Sequence, residues 1–186
     1  MKHQTIHVAL WLIGCAFLLT GCGWGDLAPN PVELRADQVY ANAIAESSIL
    51  LCGSPNEHCD VNLVLDAPDG NFVSLGGSGG SLVVKLTKAF TNGAGPDLRV
   101  YEMFGAQGGE DEPFDVLISS DGSTWIPVAE KIRDDPNALY ASIDIVPAAP
   151  SGDYWYVKIV DRSELTGSSS PGSDIDAVEA LWTNSP

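Results

Sequence analysis

Histidine is almost missing from this sequence. Three occur, and only His58 lies beyond the first 21 residues. A Ser-His-Asp centre needs a histidine beside its nucleophile. His58 instead sits between Cys52 and Cys59, so that chemistry is poorly served. Positive charge is equally scarce. Nine Lys+Arg stand against 25 Asp+Glu, a net charge of −16 at pH 7. Such a chain is repelled by nucleic acid and by anionic lipid. It suits a surface domain and hard cations such as calcium. Long apolar runs are lacking too. The most apolar stretch, residues 8–19, is short for a bilayer span. No internal repeat is present. The glycine-rich SLGGSGGSL at 74–82 lacks the lysine and following helix of a phosphate loop, and reads as a turn between strands.

The N-terminus gives an address. Lys2 supplies a thin positive region, and residues 8–19 form the apolar core of a signal. That signal leads into LLTGC, which resembles the lipobox of bacterial lipoproteins. The resemblance implies cleavage before Cys22 and diacylglycerol on its thiol. Gly23 follows where an aspartate is absent, which resembles the pattern sent on to the outer membrane. The expected organisation is a lipoprotein signal at 1–21, a tether at 22–36 and one domain at 37–186. Losing residues 1–21 removes one cation and no acid, so the mature charge is 8 − 25 = −17. Two cysteines then remain around a Gly-Ser-Pro-Asn turn, Cys52 and Cys59. Outside the cytoplasm they are expected to form a disulfide. The rival is a metal pair with His58, but zinc wants four ligands and no further soft ligand exists in the mature chain.

The domain reads as β-rich. Short β-branched and aromatic runs at 61–65, 71–75, 81–87, 98–104, 114–119, 124–129, 139–145, 154–161 and 175–182 are separated by glycine, proline and aspartate. This spacing predicts an antiparallel sandwich or barrel. DVLISSDGSTWIPV is the clearest hairpin, with Asp121-Gly122 at its turn. Residues 37–51 fit either a helix opened by Asp37 as N-cap or a strand followed by a loop, and the preferred reading is an irregular entry with a strand near its end.

Side chains alternate faces along a strand. Glu102 follows Leu98 and Val100 in a core register, and Asp161 follows Trp155, Val157 and Ile159. The final segment puts Ile175, Ala177 and Glu179 on one face and Asp174, Asp176 and Val178 on the other. A carboxylate in an apolar layer must be paired, protonated or metal-bound. The expected solution is one calcium ion held by Glu102, Asp174 and Asp176 with Asp97 and Asp161. Strand-end acids that simply reach water are the plainer alternative. A third is a pair of carboxylates hydrolysing a glycosidic bond. Trp155 and Trp182 read as core, and Tyr154 and Tyr156 as a surface pair beside Lys158.

The phrases APDGNFVSLG, GGSLVVKL, NGAGPDLRVYE, VLISSDGSTWIPV, YVKIVD and SDIDAVEAL, taken in order over residues 61–182, resemble bacterial cell-surface domains related to the discoidin and galactose-binding-like jelly rolls. The resemblance implies an all-β sandwich of about eight strands, usually non-catalytic. It also implies a structural calcium and, in some relatives, sugar binding on end loops. Its acidic positions are Asp97, Glu102, Asp161, Asp174, Asp176 and Glu179. The expected function is binding or adhesion in the bacterial envelope, with a membrane anchor and a glycan or envelope protein as partner. A carbohydrate-binding module would show solvent-facing aromatics.

Overall fold

The computed structural model describes residues 39–53, 56–103, 112–135, 138–164 and 169–183. The leader at 1–21, Cys22 and the tether at 22–36 lie outside the described residues. Nine strands occur among the described residues: β1 (Val39–Ser48), β2 (Val73–Ser74), β3 (Ser81–Phe90), β4 (Leu98–Glu102), β5 (Phe114–Ser119), β6 (Ile126–Ile132), β7 (Tyr140–Ile143), β8 (Tyr154–Asp161) and β9 (Asp174–Ala180). All pair antiparallel, in the order β6-β5-β8-β3-β1-β9-β4-β7, with the two-residue β2 added beside β9.

Two layers arise because β1 serves both. Its first two residues, Val39 and Tyr40, pair with β9, and the stretch from Ala41 to Ser48 pairs with β3. Register shifts between Ala41 and Ala43 and between Ile44 and Glu46 bend it from one layer to the other. The predicted irregular entry at 37–51 is therefore a ten-residue strand whose alternation is broken by bulges. The core lies between the layers. Leu82, Val84, Leu86, Val116, Ile118, Val157 and Ile159 meet Leu98, Val100, Ile143, Ile175, Val178 and Ala180. Burying one such side chain stabilises by about 1.5–3 kcal/mol.

The run at 61–65 is not a strand. Val61–Val64 forms a single 3-10 turn, capped by Asp60, whose carboxylate accepts the Asn62 N–H. A short apolar run does not by itself distinguish strand from buried turn. The glycine-rich loop is the expected turn between β2 and β3. Gly76 has φ +90° there, and a Cβ on it would collide with the Leu50 carbonyl. The hairpin at Asp121-Gly122 also forms. Asp121 accepts N–H bonds from Ser123 and Thr124 at 2.7 Å each, and these hold its carboxyl well below the usual range. Cys52 and Cys59 form the disulfide, with Cα atoms 5.8 Å apart.

Candidate functional site

The acids predicted to share one cation fall into separate local roles. Asp161, at the end of β8, is fully buried. Its Oδ2 accepts N–H bonds from Gly77 at 2.9 Å and Ser173 at 3.0 Å. Its Oδ1 accepts the Ser163 N–H at 2.8 Å and the Ser163 hydroxyl at 2.6 Å. This carboxylate ties the β2–β3 loop to both ends of the β8–β9 connection. Gly172 lies against it at φ +82°, where a Cβ would strike the carboxylate itself. Asp97 does the same work at the other side of β4. It accepts N–H bonds from Gly93 at 2.6 Å and Ile145 at 2.9 Å. Asp176 holds the loop before β2 by accepting the Asp69 and Gly70 N–H groups, and burial raises its carboxyl against that pull. Asp174 accepts the Ser74 hydroxyl across β2 and β9.

Among the described residues, no three His, Cys, Asp or Glu side chains are spaced to hold a metal ion. The five acids expected around one calcium ion are Glu102, Asp174, Asp176, Asp97 and Asp161. Three of them spend their carboxylates on backbone N–H groups that sequence does not reveal.

Glu102 is the exception. It ends β4 on the core face, opposite Ile175, and is only 5% exposed. Its Oε1 has no hydrogen-bond partner. Burial, then the charges of Asp134, Asp174 and Asp161, push its carboxyl up to about 9. It therefore carries a proton at neutral pH.

Glu179 was expected to share a face with Ile175. A register shift between Tyr101 and Glu102, opposite Ala177 and Ile175, puts one extra residue, Asp176, into β9. Ile175, Val178 and Ala180 then all face the core. Glu179 turns to the outer face, between Tyr40 on β1 and Arg99 on β4. It accepts the Tyr101 hydroxyl at 2.8 Å and meets Arg99 Nη1 at 3.3 Å. Arg99 stacks on Tyr140, 4.7 Å from the ring centre. Burial beside Glu179 raises the Tyr40 phenol to about 12. This polar rank is closed, since Glu179 is wholly buried beneath its neighbours.

The open candidate is the outer face of the layer built from β6, β5, β8, β3 and β1. Tyr154 is not a surface residue. It is buried, packs 5.8 Å from Phe90 and donates its hydroxyl to the Pro150 carbonyl. Trp155 is the reverse of its predicted core role, at 36% exposed. The cause is a slip in register. Tyr156 pairs with Lys85 and Tyr154 with Phe90, so β3 uses four residues where β8 uses one. Strict alternation fails at Trp155, which is released to solvent. Tyr156 follows it, half-buried, with Gly122 against its ring. Trp125, also half-buried, precedes β6 and carries Lys158 over its face. Trp182 is half-buried as well. Its indole N–H donates to the Pro96 carbonyl at 3.0 Å, and its ring leaves no room for a Cβ on Gly93.

No family model and no curated protein matches the sequence. Solved structures do. The C-terminal domain of a chitobiase from Bacteroides fragilis is 14% identical, with a TM-score of 0.51, over 81% of this chain and 97% of its own. The domain CpGH89CBM32-6 from Clostridium perfringens is 13% identical, with a TM-score of 0.48, over 80% of this chain and 96% of its own. At such identity the likeness is one of fold. The chain is an all-β, antiparallel sandwich of the galactose-binding-like type.

Proposed function

We propose that this chain is a lipid-anchored, non-catalytic glycan-binding domain of the bacterial envelope. One observation carries the reading. Trp155 is exposed near the start of β8, and Tyr156 and Trp125 carry Lys85 and Lys158 over their rings. Aromatic rings take the apolar C–H faces of pyranose rings, and flanking polar groups take their hydroxyls. The likeness to the C-terminal domain of a chitobiase supports the same reading. A hydrolase would need accessible carboxylates. Glu102, whose carboxyl burial pushes up to about 9, lies on the core face with Leu98 and Val100, away from these rings.

The test is calorimetric titration of the full chain with a panel of oligosaccharides. Trp155→Ala is expected to weaken the best ligand roughly ten-fold or more, because truncating a stacked aromatic anchor removes a binding hot spot. Unchanged affinity in that variant sinks the platform. The anchor rests on the LLTGC stretch alone. Cys22→Ser is expected to move the chain from the membrane fraction to the soluble one, read by fractionation and by incorporation of labelled fatty acid. A chain that stays membrane-bound without lipid would remove the anchor from the proposal.

A further inference from the structure

The layer that carries the glycan platform also holds most of the chain's positive charge. Of nine Lys+Arg, all but Lys2 and Arg35 are described, leaving seven. Six of these lie in strands of the β3 layer or directly after one: Lys85 and Lys88 in β3, Lys131 in β6 and Arg133 after it, Lys158 in β8 and Arg162 after it. The seventh, Arg99, is on the other layer and is committed to Glu179. In a chain with a net charge of −16, this is a marked separation.

Two of the six are held beside the platform. Lys85 Nζ stands 5.4 Å from the centre of Tyr156, its direct cross-strand partner. Lys158 Nζ stands 5.7 Å from the centre of Trp125. Lys158 pairs with Val83, two residues before Lys85, so the ammonium groups come from adjacent strands. A ring face steers an ammonium without cancelling its charge. Among the described residues neither lysine forms an ion pair. The acids of the layer do little to neutralise them. Asp115 is bound to Arg162 Nε at 2.7 Å and to the Lys131 N–H at 2.8 Å. Glu46 on β1 lies opposite Val83, diagonal to Lys85 and one strand further from Lys158, and forms no ion pair with either among the described residues. Asp121 spends its oxygens inside its own turn.

We propose that the glycan is acidic: a polysaccharide whose sugars carry carboxylate, sulfate or phosphate groups. This rests on the glycan reading above. The rings take the sugar faces and the two ammonium groups take the anions. The rest of the acidic surface repels a polyanion, so one face admits it and fixes its orientation.

The experiment titrates the full chain with an oligouronate and with its methyl ester, which has the same sugar rings without the charge. The acid is expected to bind about ten-fold tighter than the ester at low salt, the scale of two exposed charge contacts. Raising the salt should shrink that preference. The double variant Lys85→Gln, Lys158→Gln should bring acid and ester to the same affinity, while Trp155→Ala should weaken both. Equal binding of acid and ester by the parent chain overturns the acidic ligand and leaves the glycan reading standing. Binding of neither overturns the glycan reading itself. Binding to vesicles of anionic phospholipid, lost in the lysine variant and without oligouronate binding, overturns the proposal in favour of a membrane surface.

Discussion

Asp161→Asn is expected to lower the melting temperature by about 10 °C, read by circular dichroism at neutral pH in chelator. The two carboxylate oxygens accept N–H bonds from Gly77, Ser163 and Ser173 and the Ser163 hydroxyl, all at a fully buried position. An asparagine keeps one acceptor and points an NH2 group at donors. At least one buried N–H loses its partner, and a charge-assisted set becomes a neutral one. Each such loss costs about 1–3 kcal/mol, so the sum is roughly 3–5 kcal/mol. For a chain of this size, 1 kcal/mol moves the midpoint by about 2–4 °C. Gly172→Ala should show a similar fall for a different reason, since its Cβ meets the same carboxylate at φ +82°. A variant that melts with the parent in chelator, yet loses a calcium-dependent rise, would make Asp161 an ion ligand and not a loop knot.

Sequence reasoning succeeded where a strand stays in phase. The runs at 114–119 and 154–161 are β5 and β8 to the residue, because their core faces alternate without interruption between Phe114 and Ile118 and between Val157 and Asp161. Glu102 and Asp161 also hold the core registers that alternation gave them. Failure begins at bulges. One extra residue at Asp176 sends Glu179 outward to Arg99, and the slip opposite Lys85–Phe90 exposes Trp155. Bulges leave no mark in a hydrophobic pattern beyond a broken alternation, which at β1 looks like irregular chain. The hydrogen-bonding roles of the acids were hidden for another reason. A carboxylate advertises charge, and charge suggests a cation. The backbone N–H groups that satisfy Asp97, Asp161 and Asp176 are present in any sequence, and only folding aims them. The platform had one readable signal, the cluster of Tyr154, Trp155 and Tyr156 with Lys158, but which ring faces water is set by the slip.

The second large effect concerns Glu102 and pH. Its carboxyl is raised from 4.5 to about 9 in the folded chain. Between those values the folded state binds a proton that the unfolded state has released. Stability from this group is therefore complete at low pH and falls as pH rises through the window. Glu102→Gln removes the ionisation and keeps the shape. Its melting temperature should match or trail the parent near pH 5, where glutamine offers no advantage. It should exceed the parent by roughly 5 °C or more near pH 9, since the unpaired buried charge is gone. Asp176 and Asp134 are also raised by burial, so both proteins lose some stability with pH. The diagnostic is the difference between them, which should widen steadily from pH 5 to 9. The scan belongs in chelator and again with calcium. A constant difference across pH would mean that Glu102 reaches water or finds a donor for Oε1. A parent that gains stability from calcium, where Glu102→Gln does not, would mean that a cation and not a proton neutralises this carboxylate. Asp174 and Asp134, whose charges bear on Glu102, would then have to close around the ion.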